Sequence, residues 1–273
     1  LEDVYRYDLD DMAVKTYSTN DSAHPGVQML KSRGEYFLAG KIDLIKPLPS
    51  RHRHYEITPR QARMIFENKG WSKVAGFHTR NVIHRVHEHM QLYALNEHRC
   101  DGVFVHPVIG HKKQGDYTAD LILKSYELMI DKVYPSDKVF LGAFSNYSRY
   151  SGPREAVFTA LCRKNFGCSH FIVGRDHTGV GRYYRAKESQ DLFELLGDEL
   201  GITPILFDEV QYCRQCDGYV EKCEHDTSSI LSISGTEGRR IFQSGMTPPD
   251  WFMRSEIADM VLNELENGSG VFV

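Results

Sequence analysis

The sequence predicts an α/β protein built on a doubly wound parallel sheet, and two observations carry that prediction. From residue 71 onward, short apolar runs alternate with longer segments over five cycles. In the longer segments, apolar positions recur at three- and four-residue steps, the period of a helix with one buried face. Strand–helix alternation of this kind requires right-handed crossovers between parallel strands.

Taken in order, the first 47 residues read differently from the rest. Gly26, Gly34, Gly40, Pro25 and Pro47 punctuate short segments that lack a helical period. That pattern predicts β structure and turns, too few to close a domain, so this part is expected to be the tail of a longer N-terminal domain. A helix over residues 59–68 follows, with Thr58 as N-cap and Pro59 at the first helical position. The runs 73–77, 102–108, 138–144, 169–174 and 202–208 read as buried strands, and 84–98, 118–134, 153–165 and 188–200 as the helices between them. Beyond about residue 206 come a cysteine cluster, a strand near 230–234 and a final amphipathic helix near 249–266. Three parts are expected: a remnant β-rich domain over 1–47, the main α/β domain over 48–205, and a small C-terminal α/β subdomain over 206–273. Ligands of such sheets bind beyond the carboxyl ends of the strands, so function is expected just after Phe77, Val108, Phe144 and Val173.

Lys and Arg number 33 against 37 Asp and Glu, a formal charge of −4, with 41% hydrophobic and 26% charged residues. These values suit an ordinary globular chain and exclude a basic nucleic-acid coat or a membrane-surface helix. Any anion site must therefore concentrate positive charge locally. No apolar run approaches the roughly 20 residues that span a bilayer. The acidic opening lacks a signal pattern, so a cytoplasmic location is expected.

Directly after the first strand stands His78-Thr79-Arg80-Asn81-Val82-Ile83-His84-Arg85-Val86-His87-Glu88. His84 and His87 share a helix face at i, i+3, at a helix start where free N–H groups and the macrodipole favour an anion. Arg80 and Asn81 add donors at the same place. The plainer alternative is a capped helix with solvated histidines. After the strand ending at Val173 comes Gly174-Arg175-Asp176-His177-Thr178-Gly179-Val180-Gly181. Its glycines let backbone approach a ligand, while Arg175 and His177 can meet phosphate oxygens. The turn matches neither GxGxxG nor a Walker A loop, and on its own it could simply link strand to helix.

Six cysteines are too sparse for a disulfide scaffold. Cys213-x-x-Cys216 followed by Cys223-x-His225 offers four ligands of the kind tetrahedral zinc prefers, a closed structural site. Reduced surface thiols or a redox pair are the alternatives; the third Cys and the His argue against the latter. Cys100, Cys162 and Cys168 fall in or beside core elements and read as small hydrophobes.

The 78–87 segment resembles the ATP sulfurylase signature Q-[TL]-R-N-P-x-H-x-x-H, a variant of the HxGH motif of nucleotidylyl transferases. The 174–179 segment is similar to the family's G-R-D-H-A-G. Tyr150–Ala156 resembles [YF]-A-G-P-R-E-A, and the stretch from His106 to Asp116 resembles H-P-L-x-G-x-x-K-x-G-D. Ile233–Arg240 resembles I-S-G-T-x-[LV]-R, with Gly238 where an apolar residue is expected, a change that should weaken its helix by roughly 1 kcal/mol. Bottom-up, Ser234 and Thr236 are first of all helix-capping residues. The matches extend to Trp251-Phe252 and His24-Pro25-Gly26-Val27, keep the family's order and cover nearly the whole chain.

The resemblance implies a Rossmann-like nucleotidylyl transferase domain with a PUA-like N-terminal remnant. It implies transfer of AMP from ATP to sulfate, giving adenosine 5'-phosphosulfate and pyrophosphate, in a homo-oligomer that binds neither nucleic acid nor membrane. It assigns catalysis to Thr79, Arg80, Asn81, His84 and His87. Nucleotide binding falls to His78 through Asn81 and to Gly174, Arg175, Asp176 and His177; sulfate falls to His78, Arg80 and Thr178. Magnesium would accompany ATP and pyrophosphate, and zinc occurs in prokaryotic members. Within the two loops three positions depart: His78 stands where the family has Gln, Val82 where it has Pro, and Thr178 where it has Ala. His78 and Thr178 bear on which oxyanion the pocket accepts. A related nucleotidylyltransferase using another oxyanion, and a non-catalytic nucleotide-binding regulator, are the rival readings.

Overall fold

The computed structural model describes residues 1–273. Its centre is a five-stranded parallel sheet of order β5-β4-β3-β6-β7, formed by β3 (Val74–Phe77), β4 (Gly102–Val105), β5 (Val139–Leu141), β6 (His170–Val173) and β7 (Thr203–Leu206). The expected strands are all present with trimmed ends. Beyond β4, Pro107 has no N–H to donate, so the ladder breaks after Val105 and resumes as one bridge between Val108 and Phe144.

Side-chain alternation divides the sheet into two faces. Ala75, Phe77, Val103, Val105 and Ile172 pack on α4 (Arg85–Asn96), α5 (Ala119–Lys132) and α9 (Ser255–Glu266). Val74, Phe104, Phe171 and Val173 pack on α3 (Pro59–Asn68), α6 (Pro153–Phe166) and α7 (Glu188–Leu196). Period two along each strand thus feeds two hydrophobic layers, as a doubly wound sheet requires. Thr58 caps α3 as expected, with Gln61 completing a reciprocal capping box. The predicted helix over 188–200 ends as α-helix at Leu196 and continues as a 3-10 turn over Gly197–Leu200.

The N-terminal part corrects the reading of residues 1–47. Besides an antiparallel pair, β1 (Asp3–Arg6) with β2 (Tyr36–Ala39), it holds two helices, α1 (Leu9–Tyr17) and α2 (Pro25–Ser32). Asp8 caps α1 by accepting from the N–H groups of Asp10 and Asp11. Helix α2 is capped by the His24 ring, whose Nδ1 accepts from Gly26 N–H at 3.1 Å. Its Nε2, which must then carry the proton, donates to Tyr150 O at 3.0 Å. An imidazole N-cap lies outside the usual Ser/Thr/Asp/Asn set, and helices of nine and eight residues show barely two turns of period. Shortness hid both helices, and the unusual cap hid α2 as well.

The C-terminal part begins with a three-stranded antiparallel sheet of order β10-β8-β9, from β8 (Gln211–Cys213), β9 (Gly218–Val220) and β10 (Ile230–Leu231). Helix α8 (Gly235–Gln243) follows, with Ser234 as its N-cap accepting from Glu237 N–H. Thr236 is not a cap; its hydroxyl accepts from Arg239 at 3.1 Å. The last helix starts at Ser255 rather than near 249, because the Phe252 carbonyl accepts from Arg85 N–H at 2.9 Å and holds the chain as a turn. Arg254 then makes two bonds to the buried Glu88 of α4, at 2.8 and 2.7 Å. No helix is long and apolar enough to cross a membrane.

Gly238 now has a reason. A Cβ there would stand 2.7 Å from the Phe252 ring, so the helix gives up propensity to let that ring lie against its backbone. Gly238→Ala is expected to lower stability by about 1–3 kcal/mol through overpacking, despite the better helix former. Urea denaturation measures it, and a stabilised variant would contradict the contact.

Candidate active site

Strand β3 is the first strand of the sheet yet lies between β4 and β6, so winding reverses between β3 and β6. Loops leaving the carboxyl ends of two strands that wind in opposite senses diverge and open a crevice. Those loops are the two predicted turns. Together with residues 232–235, Asp208–Val210 and Phe252, they line one cavity of about 410 Å³. His78, Thr79, Arg80, Asn81, His84, His87, Gly174, Arg175, Asp176, His177 and Thr178 all reach it. The stretches after Val108 and Phe144 do not. His111, Lys112 and Lys113 line a separate cavity of about 780 Å³ with Arg33 and Tyr150, a correction to the expectation that every carboxyl edge would contribute.

The 78–84 loop is shaped by its own side chains. Asn81 N–H donates to the Thr79 hydroxyl at 3.1 Å, which folds the turn and commits the buried Thr79 to it. Arg80 is anchored three ways: Nη2 donates to Gly179 O at 3.0 Å, Nε lies 3.8 Å from the buried Asp116, and the guanidinium sits 5.0 Å from the centre of the Tyr150 ring. Tyr150 in turn donates to Asp116 at 2.9 Å. A side chain held so loses little entropy when a ligand arrives.

His84 is the N-cap residue of α4, and its Nδ1 lies 2.9 Å from Nδ1 of His87, so one ring donates and the other accepts. The pair can hold one proton between those atoms and not two. Burial, then the charge of Arg239, lowers His84 to about 4. Burial, then His84, holds His87 well below its ordinary value. Arg239 also donates to Asn81 Oδ1 at 3.4 Å. Its place beside Asn81 is not marked by spacing along the chain, although it stands at the Arg of the Ile233–Arg240 segment. Phe252, edge-on to His84 at 5.1 Å between ring centres, was missed too.

On the second loop Thr178 adopts φ +59°, and its hydroxyl donates to Gly152 O at 2.8 Å. The extra hydroxyl is therefore absorbed by the wall of the site. Gly152 (φ +51°) lies so near the Tyr184 ring that a Cβ would be 2.7 Å from it. Arg175 pairs with Asp176 at 2.9 Å and Glu209 at 2.7 Å. Asp208 pairs with Lys187. Each carboxylate lining the cavity is already matched to a cation, so a divalent ion would arrive held by substrate oxygens rather than by a protein cage. His78 Nδ1 and His177 Nε2 are buried without a partner, with ring centres 5.8 Å apart.

Cys213, Cys216, Cys223 and His225 bring their ligand atoms within 4.8 Å of one another, and this cluster can hold a metal such as zinc. Nδ1 of His225 lies 3.5 and 3.3 Å from the sulfurs of Cys213 and Cys216. Tetrahedral zinc at its usual bond lengths sets about 3.5 Å between N and S ligands, so the donor set fits. The knuckle braces the site: Tyr219 on β9 donates to Trp251 O, and Trp251 stacks on Tyr212 of β8. Cys100 and Cys168 are buried and Cys162 half-buried, consistent with small hydrophobes.

Comparison with known proteins gives three findings. A family profile described as ATP-sulfurylase matches residues 53–264, and one described as PUA-like domain matches residues 1–47. The chain is 43% identical over 263 residues to a sulfate adenylyltransferase of Pyrococcus abyssi, covering 96% of this chain and 69% of that protein. It is 42% identical over 270 residues to the sulfate adenylyltransferase of Halothermothrix orenii, covering 97% and 70%. Among solved structures, one described as hexameric APS kinase from Thiobacillus denitrificans superposes with a TM-score of 0.65 over 80% of this chain and 41% of that one. At 20% identity that likeness speaks to fold alone.

Two predictions follow from the site's electrostatics and its brace. Burial keeps His78, His84, His87, His106 and His177 uncharged. Below about pH 6.5 the unfolded chain takes up protons at these rings. The folded chain resists until about 4 at His84 and about 3 at His177. Stability is therefore full above the unfolded value and declines as pH falls, and the urea midpoint should be lower at pH 5.5 than at 7.5. Secondly, chelation should release roughly one zinc per chain and change the emission of Trp251, which metal analysis and fluorescence read together.

Proposed function

The chain belongs to the ATP-sulfurylase family, and from that premise we propose how its residues carry out the family's sulfate adenylyltransferase reaction. A sulfate oxygen attacks the α-phosphorus of ATP in line, and the bond to the pyrophosphate oxygen breaks on the opposite side. Adenosine 5'-phosphosulfate and pyrophosphate result. Sulfate is fully ionised near neutral pH, so no general base is needed. The difficulty is to hold two anions together and to stabilise charge that grows on the phosphoryl oxygens, a task of orientation and electrostatics.

In this reading Arg80, His78 and the Thr178 backbone N–H hold sulfate, and Thr79 shapes the turn that presents them. Gly174, Arg175, Asp176 and His177 hold the nucleotide. Asn81, His84 and His87 face the reacting phosphoryl group, and the charge of an arriving triphosphate opposes the effect of Arg239 on His84. Magnesium, when bound, neutralises the oligophosphate oxygens. The Cys213, Cys216, Cys223 and His225 site is closed, structural and occupied by zinc in the working protein. The chain divides into a PUA-like remnant over 1–47, a catalytic domain over 48–205, and a C-terminal part over 206–273 docked on it through Ile257, Ala258 and Val261. The phosphate–sulfate anhydride is a high-energy product, so a reaction that consumes it or hydrolyses pyrophosphate must draw the equilibrium forward.

The observation that supports this most is the convergence of Arg80, His84, His87, Arg175 and His177 on one cavity in a chain of net charge −4. Sulfate-dependent exchange of pyrophosphate into ATP tests it, with phosphate, molybdate and a phosphonate as competing oxyanions. His84→Ala should reduce exchange by about 100-fold. Unchanged exchange in that variant would remove His84 from the reacting group, no exchange with any oxyanion in the wild type would leave a nucleotide-binding regulator, and exchange with another oxyanion but not sulfate would reassign the substrate.

A further inference from the structure

Arg163 is the largest fully buried side chain of the molecule, and it has no carboxylate partner. It rises from α6 beneath the carboxyl edge of the sheet. Its Cγ lies so close to β3 that a Cβ on Gly76 would be 2.8 Å from it. Nη2 donates to His106 O at 2.6 Å, just past the end of β4, and Nη1 to Thr159 O at 3.4 Å. Nε is buried without a partner. The guanidinium also faces the Phe144 ring at 4.3 Å. Glu155 is a buried carboxylate that attracts it from further off, but its oxygens accept from the N–H groups of Arg149 and Ser151.

A lone cation in a closed interior is costly, and two carbonyl bonds could be supplied by a neutral donor. Burial lowers this guanidinium only to about 10, so it keeps its charge at neutral pH. The chain stays extended through Thr79, so His78 lies two residues beyond Gly76 on the face that Arg163 packs against, and the His177 ring stands 5.8 Å from it. Both rings reach the cavity and each keeps one buried nitrogen without a protein partner. Arg163 is the strongest charge acting on both rings, and its effect is to keep them neutral.

We infer that Arg163 is a positioning residue for the oxyanion, its fixed charge setting a positive potential under the floor formed by His78 and His177. Those rings can then turn N–H groups to the anion without taking up a proton that would make them repel one another and Arg80. The charge acts through the low-dielectric floor and touches no substrate, so it holds the anion in place without joining the chemistry. This inference rests on the sulfate reading of the same cavity.

Two variants of the full chain separate charge from hydrogen bonding. Arg163→Lys keeps the charge, whereas Arg163→Gln keeps a donor for the His106 carbonyl and loses it. The expected result is a sulfate KM raised about tenfold in Arg163→Gln with kcat changed less than about threefold, and a KM near wild type in Arg163→Lys. Equal loss in both variants, no change in either, or failure of both to fold would overturn the proposal and leave Arg163 a scaffold residue. Lack of sulfate-dependent exchange in the wild type would instead remove the sulfate reading itself, which keeps the two failures distinct.

Discussion

Glu88 and Arg254 stand 166 residues apart, yet their paired hydrogen bonds fix the geometry on which the site depends. Glu88 lies in the first turn of α4, where a carboxylate is favoured by the helix dipole and where burial requires a partner. Arg254 satisfies it with a planar fork, and the carbonyl of Phe252 takes the N–H of Arg85 beside it. These contacts bring the C-terminal segment over the start of α4. Phe252 then sits edge-on to His84, and residues 232–235 close the third wall of the cavity. Without that clamp the β3 and β6 loops would border an open crevice rather than a chamber.

The cavity also concentrates positive charge within an acidic chain. Its cations are held before any ligand arrives: Arg80 by Gly179, Asp116 and Tyr150, and Arg175 by Asp176 and Glu209; Arg239, behind Asn81, is held by Thr236 and Asn81. Pre-pairing has two opposed effects. It orients the guanidinium groups in advance, which lowers the entropic cost of binding, and it neutralises part of the field the ligand would feel. Arg80 keeps one distant carboxylate at 3.8 Å, whereas Arg175 is tied to two at close range. Arg80 therefore offers the stronger field, and Arg175 would have to exchange partners to meet a phosphate. Neutral histidines complete the surface, able to donate one hydrogen bond each without adding mutual repulsion.

Support for this chamber extends to the metal knuckle. The strands carrying Cys213 and Tyr219 hold Trp251 by stacking and by a hydrogen bond to its carbonyl, and Trp251 precedes Phe252. Gly238 leaves room for that phenyl ring against α8. A metal held by the four ligands would thus act on His84 through three packed rings, Tyr212, Trp251 and Phe252. Loss of the knuckle would be felt as loosened geometry and not as lost chemistry.

The sequence by itself determined the parallel sheet, its five strands and the helices between them, because apolar periodicity is written locally and tolerates no other pairing of faces. It also marked the two loops that meet at the cavity and the four side chains of the Cys/His cluster, since each lies within a short continuous stretch. Helices α1 and α2 escaped because two turns leave almost no periodic signal, and the histidine cap of α2 is not a recognisable helix start. Arg239, Phe252 and Arg163 escaped for another reason. Their roles arise from neighbours brought close by folding: Asn81 and His84 for the first two, and the β3–β4 edge for the third. Spacing along the chain records which residues share a turn. Only the closed tertiary structure decides which distant cation lies under which histidine, because burial and low dielectric, rather than sequence proximity, set the strength of that interaction.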